Sequence, residues 1–326
     1  MDKNQNAEHT TETNQGLSDW KQATGEINIK LVNDFLFRAL LQRNNRVLKG
    51  LIASLLHMQM DEIQSVTIEN EIMLGEHIPD KTFILDIRVL MNDDSIINLE
   101  MQVINQQNWV ERSMSYLCRC FDNIPKGEDY INVKPVVQIG LLDYTLFPES
   151  PEFYASYYLM NETSHQIYSD KLHLCVLDLT HIELAAEEDK RYGIDHWASL
   201  FKSHTWEELK MLAEKNPIID EAASTIYSIS QDSIMLEKIR AREEAIAHEN
   251  YMKKQLDEKD KQLDEKDKQL DEKDKQLNVQ SKQLNEKDKQ LNMQSKQLNE
   301  KDKQLNEKDA LIARLMRENE ELRRNQ

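Results

Sequence analysis

Glycine and proline are scarce in this chain, seven and six among 326 residues. So few glycines leave no room for a Gly-rich loop that cradles phosphate. The three cysteines, Cys118, Cys120 and Cys175, form no CxxC pair and no even-numbered framework. Neither a zinc site nor a disulfide scaffold is indicated, and the cysteines are expected to be small packing residues. The nine histidines are scattered with no ligand spacing such as HxxxH. No apolar run approaches the ~18 residues that a membrane-spanning helix needs. Residues 1–25 are polar throughout and lack the apolar core of a signal peptide. The expectation is a cytoplasmic protein with no membrane partner and a disordered lead-in over residues 1–25.

What is abundant is charge, and it is unevenly divided. The chain carries 41 lysines and arginines against 59 aspartates and glutamates, a net of −18. Residues 253–326 are close to neutral, with 19 basic against 18 acidic side chains. The first 252 residues hold 22 against 41, so the acidity belongs to them. A body this acidic repels phosphate backbones at long range, and any nucleic-acid reading has to overcome that field. From about Lys253 to Asp309 the chain repeats "KQLDEKD" and close variants. The division expected is a lead-in over 1–25, an α/β domain with a helical extension over 26–250, and a heptad-repeat helical tail over 251–326.

Within the middle region the period of the apolar residues changes several times. "NDFLFRALLQ" predicts a helix from about Asp34 capped by Asn33, and "RVLKGLIASLLHM" a second with Leu48, Leu51, Ile52, Leu55 and Leu56 on one side. "SVTIENEIML" then alternates with period two, as does the hairpin "ILDIRVLMNDDSIINLEMQV". "WVERSMSYLCRCFDNI" returns to helix, with Val110, Met114, Leu117, Phe121 and Ile124 as its apolar stripe. Arg112, Tyr116, Arg119 and Asn123 fall on its other face. "KPVVQIGLLDYTL" and "KLHLCVLDLT" read as strands. "TWEELKMLAEKN" opens with the capping box Thr205-x-x-Glu208, and a long helix is expected from about Ile218 into the repeat. The order α-α-β-β-β-α-β-β-α-α describes a mixed sheet covered by helices.

The hairpin raises the functional question. Phe83, Leu85, Ile87 and Val89 face one way, with Ile97, Leu99, Met101 and Val103. Asp86 and Arg88 face the other, with Asn98, Glu100 and Gln102. If the two strands pair positions of equal parity, Asp86 lies beside Glu100 or Gln102. Two readings stay open on the residues alone. The carboxylates are either an ordinary solvated sheet face or an oxygen-rich site for Mg²⁺ or Mn²⁺.

Asp86, thirteen residues, then Glu100-x-Gln102 resembles the Asp…Glu-x-Lys signature of the PD-(D/E)XK nuclease superfamily. "NDFLFRALL", "DKTFILDIRV", "INLEMQV", "ERSMSYLCRCFDN" and "GEDYINVKPVVQIGLLDYTLF", in that order, resemble the recombination-promoting nuclease and transposase family over roughly residues 30–180. The resemblance implies a restriction-endonuclease-like α/β fold and a metal-dependent DNA endonuclease. It implies Asp86, Glu100 and the Met101 carbonyl as metal ligands, and Asp86, Glu100 and Gln102 as the catalytic set. Gln102 stands where the superfamily has lysine; it can orient a water but carries no positive charge and is no useful base. Arg112 and Tyr116 match the family's Arg-x-x-x-Tyr positions and are expected to support a scissile phosphate. Glu69 and Glu71 are expected to be exposed polar positions, Asp34 to serve the helix dipole, and Lys81 to be a poor stand-in for the missing lysine.

The tail has leucine at 256, 263, 270, 277, 284, 291, 298 and 305. Its second heptad position is mostly Asp in one register (Asp260, Asp267, Asp274, Ser281, Asp288) and mostly Lys in the other (Lys259, Lys266, Lys273, Gln280, Lys287), which makes a seam that buries charge. A solvated helix of ~110 Å at ~1.5 Å per residue, only loosely self-associating, is the expectation. The implied partner is DNA. The alternative is a nuclease-fold protein with little or no catalysis that assembles as a homo-oligomer through residues 253–326.

Overall fold

The structure is a computed structural model, and it describes residues 20–70 and 86–324, with side chains described through residue 319. The expectations for Glu71, Lys81, Phe83, Leu85 and most of the lead-in lie outside the described residues. Two compact units divide the chain, the first ending at Asn250 and the second beginning at Tyr251.

The first unit is built on a six-stranded mixed sheet of order β1-β2-β3-β4-β6-β5. Strands β1 (Val66–Ile68), β2 (Ile87–Met91) and β3 (Ser95–Gln102) form an antiparallel meander. Two helices precede them, α1 (Asp34–Arg43) and α2 (Asn45–Leu55). Helix α3 (Trp109–Phe121) is the crossover that makes β4 (Val136–Leu142) parallel to β3. Strand β6 (Ile167–Asp178) lies parallel to β4, and β5 (Tyr154–Met160) closes the far edge antiparallel to β6. This is the α/β architecture of a restriction-endonuclease-like fold. Helices α4 (Glu187–Arg191), α5 (Ile194–Lys202), α6 (Trp206–Ala213), α7 (Pro217–Gln231) and α8 (Ser233–Arg324) follow.

Local sequence signals account for several boundaries. Asn33 caps α1 by accepting from Leu36 N–H, and Thr205 caps α6 within a complete capping box. The hairpin between β2 and β3 turns through Asn92 and Asp93 at φ of 52° and 59°. Asn and Asp occupy that left-handed region more readily than other side chains.

The main core lies between the odd-numbered sheet face and the helices. Ile87, Val89, Leu99, Met101, Ile139 and Leu177 pack there with Phe37, Leu48, Leu51, Trp197 and Ile226, all buried.

The structure decides one open reading and departs from the sequence reading elsewhere. The even-numbered sheet face is not a solvated one: Asn98 and Glu100 are both buried. Helix α3 covers it, through Leu117 and Cys120 against Ile96 and Val136, and through Trp109 against Leu142 and Val176. The stripe predicted for α3 is rotated accordingly. Trp109, Ser113, Leu117 and Cys120 are buried, while Val110 and Met114 are exposed and line an open apolar groove of about 340 Å³ beside Phe147 and Tyr157. Strand β5 was not foreseen, because an edge strand that is mostly exposed shows no alternating apolar pattern. The long helix is broken at Asp232, which is extended (φ −83°, ψ 110°) and accepts from Ile234 N–H and Met235 N–H to cap α8. Cys120 and Cys175 are buried as expected, but Cys118 is exposed.

The second unit is the helical repeat. Its leucines at 256, 263, 270, 277, 284, 291, 298 and 305 are all exposed, between 57% and 63%.

Candidate functional site

The hairpin register decides what the two carboxylates do. Ile87 pairs with Leu99, Arg88 with Asn98 and Val89 with Ile97, so positions of equal parity face each other. One step further along the same count, Asp86 falls opposite Glu100. Both lie on the even-numbered face under α3, near its first turns.

Glu100 is 4% exposed. Arg112, one turn into α3, grips a single oxygen of it, with Nε and Nη2 each 2.8 Å from Oε1. The other oxygen, Oε2, is buried without a hydrogen-bond partner among the described residues, and so is Oδ1 of Asp86. Two buried carboxylate oxygens with nothing to accept from are costly unless a cation or an ordered water meets them. Burial pushes the Glu100 carboxyl above its ordinary range. Arg112 opposes this, and the nearby charges of Asp86 and Asp34 add to it. Burial works against the charge on Arg112, but Glu100 outweighs it and holds the guanidinium above its ordinary value.

Tyr116 lies between two arginines of its own helix, with Cζ of Arg112 5.1 Å and Cζ of Arg119 5.9 Å from the ring centroid. Spacing of four and three residues on one helix puts all three on one flank. The stacking fixes the guanidinium plane of Arg112. Burial raises the Tyr116 phenol as well.

Asp86 is held through its backbone. Its carbonyl accepts from Nη1 of Arg38, a side chain 1% exposed in α1, and from Nδ2 of Asn70 at 2.9 Å. Asn70 also accepts from Arg88 N–H through Oδ1 at 2.8 Å, and Nη2 of Arg38 reaches the Asn70 carbonyl. The segment bearing Asp86 is thus tied to β1 and α1 while its carboxylate stays uncommitted.

Gln102 is placed differently from the two carboxylates. Its Nε2 donates to the Ile104 carbonyl at 3.1 Å. Met101 is buried in the main core, with its side chain on the opposite face from Glu100. Glu69 pairs with Arg88 at 2.7 Å, both partly exposed, and takes no part in the site.

Two features escaped the sequence reading: the Arg242 partner of Asp34, which was expected to serve only the helix dipole, and Tyr144. Asp34 at the start of α1 is gripped by Arg242 of α8, with Nε–Oδ1 at 2.8 Å and Nη2–Oδ2 at 2.5 Å, and its charge is felt at Glu100. Tyr144, just past β4, packs beside Trp109, and burial followed by the Glu100 charge pushes its phenol up to about 12. No sequence signal announces either: Arg242 lies 208 residues from Asp34, and Tyr144 follows the strand without a motif.

Asp86 and Glu100 are the carboxylates this site offers. Among the described residues no group of three or more His, Cys, Asp or Glu is fit to hold a metal. A cation here would need further oxygens from the backbone, water or substrate. The donor set suits a hard ion, since both side chains are carboxylates and no thiol or imidazole is present.

A mixed sheet flanked by helices, with an Asp and a Glu brought together across a hairpin, defines a protein of the PD-(D/E)XK nuclease class. The family model described as PD-(D/E)XK nuclease family transposase matches residues 31–256. The chain belongs to that family. No curated protein and no solved structure matches it. No helix among the described residues is long and apolar enough to cross a membrane.

Proposed function

We propose that the chain is a divalent-metal-dependent DNA endonuclease acting in recombination or mobile-element movement, with Mg²⁺ or Mn²⁺ held by Asp86, Glu100 and the Met101 carbonyl. The observation that carries this reading is the pair of buried, unpartnered oxygens, Asp86 Oδ1 and Glu100 Oε2, in a chain of a nuclease family. When bound, such an ion polarises a phosphoryl oxygen and makes water more acidic, which phosphodiester hydrolysis requires.

The chain's own residues set the stage for this. Arg112 fixes the Glu100 carboxylate through Oε1 and leaves Oε2 for the cation. Its guanidinium, steadied by Tyr116, is a bidentate donor of the kind that recognises phosphate, and it sits next to the carboxylate pair. Gln102 has its amide N–H₂ engaged by Ile104, which leaves Oε1 to accept from a water. It orients and does not act as a base. The acidic charge of the first 252 residues opposes DNA at long range and keeps binding weak; a steep loss of binding with salt would report the arginine and lysine contacts to phosphate.

Nicking of supercoiled plasmid by the wild type and by Asp86→Ala, in Mg²⁺ and in EDTA, tests the reading. Nicking that needs Mg²⁺ and is lost in the variant supports it, and absence of nicking by the folded wild type sinks it. A second reading has an observation of its own. The eight exposed leucines at seven-residue spacing favour self-association of residues 253–326, and a nuclease-fold scaffold assembled through them is what remains if nicking is absent.

A further inference from the structure

A small cavity holding a buried carboxylate lies on the same sheet face, two strands away from Glu100. Glu100 aligns with Gly140 and then Val176, and Gln102 with Leu142 and then Asp178. At ~4.8 Å per strand and ~3.3 Å per residue, the backbones of Glu100 and Asp178 are about 12 Å apart. The cavity is not a part of the nuclease site.

Asp178 ends β6 and is 3% exposed. One of its oxygens is fully used: Oδ1 accepts from Thr180 N–H at 2.7 Å and from Thr180 Oγ1 at 2.5 Å. Thr145 Oγ1 sits 3.1 Å from that same hydroxyl. These contacts lock the carboxylate in one orientation. The remaining oxygen, Oδ2, is buried with no partner among the described residues.

The cavity that Asp178 lines is about 20 Å³, and Thr145, Ser150, Glu152 and Tyr157 share its walls. That is room for one water-sized occupant. Its polar lining is the Asp178 and Glu152 carboxylates and the hydroxyls of Thr145, Ser150 and Tyr157, with no basic side chain; Leu146, Phe147, Ala155 and Val176 complete the wall. The buried Asp178 charge calls for a counter-charge, and the exposed Glu152 stands at the rim of the same cavity. Carboxylate and hydroxyl oxygens in an irregular arrangement are the donor set of Ca²⁺ or, with waters retained, Mg²⁺.

We propose that Asp178, Glu152, Thr145 and Ser150 form a site for a hard divalent cation, distinct from the Asp86–Glu100 site. The ion ties the connection between β4 and β5 to the C-terminal end of β6. That connection carries Tyr144 and Leu146, which pack with Trp109 at the start of α3. The cation therefore braces the helix that delivers Arg112.

Tb³⁺ is the probe, because Tyr157 lines the cavity and can sensitise its emission. Most carboxylates of the tail lie far from any aromatic side chain, since none follows Tyr251. The full chain carrying Asp86→Ala and Glu100→Gln is titrated with Tb³⁺, which removes the nuclease site's own carboxylate pair. The expected result is saturable tyrosine-sensitised emission that Ca²⁺ displaces. Asp178→Asn should weaken it at least tenfold, and Glu152→Gln, at an exposed position, several-fold. Weakened binding in either folded variant supports the site. Affinity unchanged in both, or no saturable emission at all, overturns it and leaves a water in the cavity. Neither result depends on whether the protein nicks DNA.

Discussion

Trp109 lies so close over Gly140 that no side chain fits between them: a Cβ on Gly140 would sit 2.0 Å from Cζ2 of the indole. Gly140 is the β4 neighbour of Glu100, and Trp109 opens the helix that carries Arg112. The glycine is therefore a spacing element, letting α3 sit low enough on the sheet for an arginine to meet a buried carboxylate.

Gly140→Ala is predicted to push Trp109 outward and lengthen the Arg112–Glu100 contact. Overpacking of this kind costs about 1–3 kcal/mol. Urea denaturation measures it, and a fall in stability below ~0.5 kcal/mol would mean that the indole slides aside without cost. Any nicking activity should fall further than stability does, because positioning at the site is lost first.

Asp86 holds an unpartnered buried oxygen, so in the absence of metal it burdens the fold. Asp86→Asn is predicted to leave thermal stability in EDTA unchanged or higher, by up to about 1 kcal/mol, while abolishing metal-dependent nicking. A marked loss of stability in EDTA would show that the carboxylate has a structural partner instead.

The Asp34–Arg242 pair is nearly buried, with side chains 9% and 13% exposed. Arg242→Ala strands the aspartate and is predicted to destabilise by about 3–5 kcal/mol. The double variant with Asp34→Ala should recover part of that loss. A double-mutant cycle reads the coupling, and additivity of the two single effects would count against it.

Burial pulls the His173 imidazole from its ordinary value of 6.5 down to about 4. The ring stacks on Tyr158 at a centroid distance of 4.2 Å. The folded state thus prefers neutral His173, and the unfolded state takes up the proton first. His173's contribution is fully present above pH ~6.5 and is lost as the pH falls toward 4. Comparing His173→Gln with the wild type across that range checks the sign, since the variant should lose less stability on acidification. Parallel curves would remove His173 from the account.

Local chemistry made much of this protein legible from its residues. Asn33 and Thr205 announce helix starts because a side-chain oxygen can satisfy a free N–H only a few residues away. The period of two in the hairpin places Asp86 and Glu100 on one face, and equal-parity pairing follows because a one-residue slip would put Ile97 and Leu99 outside the core. The leucine repeat needs no folding at all to be seen.

Tertiary structure decided the rest, where the deciding partner is distant in sequence. The even face of β2 and β3 looks solvated until α3 closes over it, and that closure rests on the absence of a side chain at Gly140. Arg112 reads as part of a polar helix face, yet it reaches Glu100 on the sheet because Trp109 and Leu117 set the helix's rotation. The break at Asp232 follows from a cap and an ion pair to Arg43 at 2.6 Å, set against helix-forming residues on both sides. Asp34 finds Arg242, and Arg38 finds the Asp86 carbonyl, only when the chain has brought α1 against α8 and β2. Periodicity encodes which face of an element is buried; which element buries it is a property of the assembled core.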